Sequence, residues 1–371
     1  MLSVDAKLPG TATKPVNKCD VMAVSPTKEL KTLILPPTCA VPSHTWLLDV
    51  VMYSLRHFGN GVQSLSVSDC GAEEYIGRMF PNLTTLYYFA ESIITHREPA
   101  EKLSETIRNK LCKLRSLCVT GGTCHAIQNN LTSSITHLEL RNPYSYILMG
   151  GISSTFASSV RQLVITCDNG RYPLKNVFSA LPNITALSVY GHPEIKANDW
   201  QCVPHLKYLH LGNTTSIEFP NRESSPNWEV ISGWCVTNDY MYFLYGITTT
   251  NRHAYMLCPH KLELSCPYYY SLSCETILLL TRRLELWSEN RLRVLVFHVA
   301  PRDSLCLYEA IRLFDSIPSL ECLQWIRTTD DQKYIPEDQR QYLTKRRIRI
   351  AHRSDYNCLA NIFSPQKGCH W

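Results

Sequence analysis

Ten times along the chain the order apolar, two variable residues, apolar, one variable residue, apolar recurs. The copies are LKTLIL from Leu30, VQSLSV from Val62, LTTLYY from Leu83, LRSLCV from Leu114, ITHLEL from Ile135, VRQLVI from Val160, ITALSV from Ile184, LKYLHL from Leu206, LRVLVF from Leu292 and LECLQW from Leu320. With the fourth residue as marker, they fall at 33, 65, 86, 117, 138, 163, 187, 209, 295 and 323, so nearly every step is one irregular repeat of 21 to 32 residues. The one wide gap is bridged by two weaker matches, ISGWCV with Trp234 as marker and PHKLEL with Leu262, and KRRIRI with Ile348 is a further candidate.

The last three apolar positions of each unit lie two apart, which is the side-chain period of a β-strand, so each unit reads as a short strand with one buried face. Between units the apolar residues lie three and four apart, as in GAEEYIGRMF from Gly71, SETIRNKLCKL from Ser104, LKNVFSAL from Leu174 and SLCLYEAIRLF from Ser304, which predicts helices. Proline punctuates the joins, in FPNL from Phe80, LPNI from Leu181, VPHL from Val203 and IPSL from Ile317. Its ring blocks helix continuation, so each helix stops a fixed distance before the next strand. A strand–helix unit cannot bury its apolar side alone and needs neighbours on both sides. The expected fold is therefore α/β, a horseshoe-shaped solenoid with a parallel inner sheet and outer helices of irregular length. It would occupy residues 28–352, with an irregular segment at 1–27 and a tail at 353–371.

The repeats resemble the leucine-rich-repeat family, and the long return segments with recurrent PNL-type punctuation look most like the repeat portion of F-box-type proteins. The resemblance covers roughly residues 28–352. It implies a scaffold that captures a client protein, as a possible client-binding subunit of a ubiquitin ligase, with ligase components among its partners. No stretch resembling the F-box itself stands before Leu30.

Composition narrows the compartment and the chemistry. Hydrophobic residues make up 44% and charged residues 19%, which is globular usage, and no apolar run approaches the length that spans a bilayer. The first thirty residues lack the continuous apolar core of a secretory signal, so a soluble chain in the cytoplasm or nucleus is expected, with its sixteen cysteines reduced. Net charge is only +5, and part of the excess lies in Lys345, Arg346, Arg347, Arg349 and Arg353. Such a patch can attract nucleic acid, which makes a nucleic-acid-associated protein the alternative function. The alternation of Arg347 and Arg349 with Ile348 and Ile350 fits instead an edge strand blunted by charge.

The side chains expected to line the inner wall include Ser64, Ser66, Thr85, Tyr87, Phe89, His137, Glu139, Arg141, Tyr190, Tyr208, His210 and His298. Tyr87, Phe89, His137, Glu139, Arg141, Tyr190, Tyr208, His210 and His298 are the candidate partner-binding residues, because aromatic and arginine side chains combine large contact area with a polar handle. A metal-dependent domain is a further alternative, from Cys258, His260, Cys266 and Cys274 or from Cys112, Cys118, Cys124 and His125. No C-x-x-C pair occurs, so cysteines filling apolar gaps are the simpler reading. No phosphate-cradling glycine loop, G-x-S-x-G, H-E-x-x-H or kinase-type H-R-D is found, so no enzyme activity and no cofactor is expected. Residues 213–290 hold the weakest repeats and the most aromatic residues, among them Trp228, Trp234 and Tyr268 to Tyr270. They read either as an insertion or as a degenerate pair of repeats with an aromatic core.

Overall fold

The computed structural model describes residues 31–34, 60–68, 73–89, 97–120, 134–141, 158–212, 216–218, 220, 226–234, 261–265, 292–298, 312, 315, 317, 319–327, 341, 345 and 348–352. The chain forms two compact units, Met1–Ser159 and Val160–Trp371.

In the first unit five parallel strands follow one another in chain order: β1 (Thr32–Ile34), β2 (Ser64–Ser68), β3 (Thr85–Phe89), β4 (Ser116–Thr120) and β5 (His137–Arg141). Leu33, Leu65, Leu86, Leu117 and Leu138 lie in one register row across them. These are the markers of five sequence units, so the repeat and the sheet share one period. Helix α1 (Glu73–Met79) turns Ile76 and Met79 inward and helix α2 (Arg97–Lys110) turns Leu103 and Ile107 inward, with Phe80 and Leu111 buried directly after them. The spacing of three and four is the helical stripe that the sequence predicts.

The second unit repeats the scheme with β6 (Gln162–Pro173), β7 (Ala186–Ile195), β8 (Tyr208–Gly212), β10 (Val230–Trp234), β11 (Lys261–Ser265), β12 (Val294–His298), β13 (Cys322–Arg327) and β14 (Ile348–His352) in a parallel row, while β9 (Ser216–Ile217) pairs in parallel with the end of β7. Helix α3 (Lys175–Ala180) buries Val177 and Phe178. The 3-10 helix η1 (Ala197–Cys202) seats Trp200, whose Nε1 donates to the Glu218 carbonyl at 2.7 Å and whose ring lies 5.8 Å from Phe178 and 5.2 Å from Trp228. A parallel sheet whose strand order follows chain order is a solenoid-like α/β arrangement.

The joins are built alike in both units. The carbonyls of Phe80, Leu111, Leu181, Val203 and Ile317 each accept the N–H three residues on, from Leu83, Leu114, Ile184, Leu206 and Leu320. Both ends of each turn are buried, and Pro81, Pro182 and Pro204 stand second in theirs, where the fixed φ of proline favours a β-turn. In eight of the described repeats the carbonyl two residues before the marker accepts two N–H groups of the following repeat, among them Gln63 from Thr84 and Thr85, Thr84 from Arg115 and Ser116, Thr185 from Lys207 and Tyr208, and Lys207 from Glu229 and Val230. That shared acceptor sets the register before the strand itself begins.

Residues 213–290 supply strands rather than an uninterrupted insertion, since β10 and β11 pair between β8 and β12. The marker of β10 differs from the expectation: Ile231, not Trp234, aligns with Leu209 and Leu262. The true unit is WEVISG from Trp228, with Trp228 and Ile231 buried; Gly233 in its last position weakens the pattern, so the frame three residues later looks better in sequence. Leu262 and Ile348 take the places expected of them. The Ile348–His352 segment pairs with β13 and, among the described residues, has no strand on its other side, as expected of a charged edge strand.

Strands β6 and β7 outrun their neighbours through a register shift between Cys167 and Tyr172. Beside it Gly191 has φ of 89°, and an added Cβ would stand 1.9 Å from the Cys167 carbonyl oxygen. Only glycine fits there. Leu187→Ala is expected to cost about 2 to 5 kcal/mol, because a fully buried row residue leaves a cavity. Gly191→Ala is expected to cost at least about 1 to 3 kcal/mol from backbone strain alone. Denaturant unfolding measures both; a loss under about 0.5 kcal/mol at either site would contradict the register.

Candidate functional site

The wall opposite the leucine row is made by the residues on either side of each marker and the third one after it. In the first unit, the register places Ser66, Tyr87, Cys118 and Glu139 side by side, with Ser64, Thr85, Ser116 and His137 in the row before. The expectation that these side chains are exposed is corrected by the structure. Tyr87, His137 and Glu139 are buried to 7–8% exposure, and Ser64, Ser66, Thr85 and Ser116 to 2–9%. Adjacent parallel strands lie about 4.8 Å apart, so a residue in mid-row is walled in by its neighbours, Tyr87 by Ser66 and Cys118, and His137 along one side by Ser116. The small residues of the row leave room for the large ones and are covered by them.

Phe89 and Arg141 are the members of this set that remain half-buried. Glu139 holds Arg141 by accepting from its Nε at 2.6 Å, and the guanidinium carbon lies 5.6 Å from the centre of the Phe89 ring. Arg141 is thus fixed by a charge-assisted bond and by a cation–π contact. Glu139 therefore positions Arg141 from below the surface.

In the second unit the expected wall residues gather into one cluster. The Tyr190 ring lies 5.3 Å from the His210 ring at 55°, and His210 Nδ1 is 3.0 Å from Ser232 Oγ. His210 is buried, which corrects its expected exposure, and the cause is the same stacking: Ser188 and Ser232 flank it in register. Gly212 pairs with Tyr190, and a Cβ there would approach the Tyr190 ring to 2.3 Å, so the glycine is what lets the ring lie across it. Tyr208 donates its hydroxyl to Glu229 Oε2 at 2.7 Å, and Glu229 Oε1 accepts from Lys207 Nζ at 2.8 Å. Tyr190, Tyr208 and Val230 pack against buried Val164 and Ala186. The outcome is a half-exposed aromatic platform on an apolar bed.

Glu229, Val230, Ser232 and Gly212 were not foreseen as wall residues. The first three follow once Trp228 is recognised as the head of its unit, and the position of Gly212 opposite Tyr190 was countable from the row spacing. His298 lies in β12 opposite Ser265, but its side chain is outside the described residues. So are Cys258, His260, Cys266, Cys274, Cys124 and His125. Cys112, Cys118, Cys167, Cys202 and Cys322 are free thiols, and Cys118 and Cys167 are buried, the apolar-filler role expected of cysteine. Among the described residues no group of three metal-binding side chains is found and no helix is long and apolar enough to cross a membrane.

The Glu229 carboxylate holds the Tyr208 phenol above its ordinary range, first by accepting its hydrogen bond, with burial adding to the effect. Because the folded value is raised, the stabilisation is complete below the unfolded value near 10 and is lost as pH rises through the folded one. Glu229→Gln is expected to bring Tyr208 ionisation down in pH, read as the difference in tyrosinate absorbance between each background and its Tyr208→Phe partner. An unchanged difference curve would refute the bond.

No family model matches the chain, and no curated protein matches it. Among solved structures, a chain of the crystal structure of the Rad7 and Elc1 complex in yeast is similar at a TM-score of 0.38 and 15% sequence identity, covering 84% of this chain and 82% of that chain.

Proposed function

We propose that this chain is a leucine-rich-repeat scaffold that recognises another protein through the strand wall and catalyses no reaction. The observation that carries the reading is the platform of Tyr190 and Tyr208. Both are large, half-exposed and already immobilised, the first across Gly212 and against His210, the second by Glu229. A side chain that is fixed before its partner arrives loses little entropy on binding, and tyrosine is among the residues that carry most interface energy. Arg141, held by Glu139 and Phe89, supplies the same quality in the first unit. A wall set on rigid strands, with polar groups tied beneath it, suits recognition of a protein surface.

The finer reading, a client-binding subunit of a ubiquitin ligase, is supported by the PNL-type punctuation and long return segments that the chain shares with the repeat portion of F-box-type proteins. Affinity capture from the native cell tests both levels. Tyr190→Ala/Tyr208→Ala and Phe89→Ala/Arg141→Ala, each verified as folded by circular dichroism, are expected to lose at least one partner that the wild type retains. Identical partner sets in all three chains would remove the wall as the recognition surface. Cullin-type ligase components in the wild-type capture would support the finer reading, and a capture without them would leave the scaffold with some other assembly.

A further inference from the structure

A cleft of about 440 Å³ opens in the second unit at the turns that lead into β6, β7, β8 and β10. It is lined by two rows of the repeat. Arg161, Thr185 and Lys207 each stand two residues before a marker, and Asn183, His205 and Asn227 each stand four before one. Successive members of a row are set about 4.8 Å apart by the strand spacing, so the three side chains of a row span about 10 Å. Every one of these rows follows from the same turn and the same shared carbonyl, which makes their convergence a property of the backbone.

The chemistry of the lining is one-sided. Arg161 and Lys207 bring positive charge, Asn183 and Asn227 bring carboxamide N–H groups, and His205 brings a ring N–H, while no carboxylate lines the cleft. Glu229 is the nearby acid, and its two oxygens already accept from Lys207 and Tyr208. Thr185 gives its hydroxyl hydrogen to the Arg161 carbonyl, and Arg161 directs one Nη1 to the Val160 carbonyl at 3.2 Å, which anchors the guanidinium at the wall. In the first unit the corresponding turns are bridged by Lys113 Nζ donating to Asn82 Oδ1 at 2.6 Å and by Asn82 Nδ2 donating to the carbonyl of Asn60, five before its marker, at 2.9 Å.

We propose that this cleft binds a phosphomonoester group. A carboxylate presents two oxygens in one plane, whereas donors here stand in two rows on four consecutive turns; a tetrahedral dianion with three terminal oxygens can engage both rows, Arg161 and, beside its bond to Glu229, Lys207. Arginine with lysine is the pairing that recognises phosphate by a planar fork and a point charge together. The volume exceeds that of the phosphoryl group, leaving room for the side chain or small molecule that carries it. None of the cleft's lining residues is Tyr190, Tyr208, Phe89 or Arg141, and the cleft meets the aromatic platform at Glu229, which accepts from both Lys207 and Tyr208.

Isothermal titration of the full chain at fixed ionic strength tests it, with inorganic phosphate, a phosphoserine peptide and the same peptide unphosphorylated as probes. Saturable binding of phosphate and of the phosphopeptide, but not of the plain peptide, is expected. It should fall about tenfold or more in Arg161→Gln/His205→Ala and stay unchanged in Arg293→Gln, an exposed cation at the equivalent row position outside the cleft. Circular dichroism on the same samples separates loss of the site from loss of the fold. Tighter binding of the phosphopeptide than of phosphate assigns the group to a modified protein, and equal binding assigns it to a small phosphate compound; either upholds the site. Phosphate binding no stronger than that of chloride, undiminished binding in the double variant, or equal binding of the plain peptide would each overturn it. Tyr190→Ala is expected to leave phosphate binding unchanged, so the platform and the cleft stand or fall separately.

Discussion

In eight of the described repeats one backbone carbonyl, two residues before the marker, accepts two N–H groups from the next repeat. Everything else is positioned by it. A parallel strand pair has no tight turn to fix its register, and a slip of one residue would send the whole leucine row to the opposite face. The shared acceptor removes that freedom at the first residue of each strand. The preceding turn, with buried apolar residues at both ends, brings the chain to it at a constant distance. The leucine row then fills a core that no single repeat could close alone.

The same regularity sets the limits of the wall. Strand spacing packs equivalent side chains against each other, so a side chain in mid-row can be buried even between small neighbours. Tyr190 gains its position from Gly212, and Tyr87 is buried although the residues flanking it, Ser66 and Cys118, are small. Polar residues under the surface act mainly as supports: Glu139 aims Arg141, Glu229 aims Tyr208 and Ser232 lies beside His210. Recognition surface and support are therefore alternate members of one row system, and the cleft at the turns is a third use of that system.

Much of this was legible in the sequence, for a physical reason. Alternation of apolar residues reports strands, and proline before Leu86, Leu187 and Leu209 reports the turn, so the strands at Leu65, Leu86, Leu117, Leu138, Leu163, Leu187 and Leu209 could be counted directly. The unit at Trp228 was misplaced by three residues because glycine occupies a position where the pattern wants an apolar side chain, and backbone pairing tolerates that substitution while pattern matching does not. Exposure was the other loss. Facing is a property of one strand, but burial depends on which residues stand beside it on two others, and that became readable for Tyr87, His137, Glu139 and His210 only with the register in hand.

The central claim is that marker residues of successive repeats touch in chain order along one row. Methyl-selective labelling of isoleucine and leucine, read by through-space nuclear Overhauser contacts, tests it most directly in the second unit. Contacts should run from Leu163 to Leu187, from Leu187 to Leu209 and from Leu209 to Ile231, each residue touching its immediate neighbours. Contacts that join Leu163 directly to Leu209, or that place Ile231 away from Leu209, would contradict the shared register and the wall and cleft built on it.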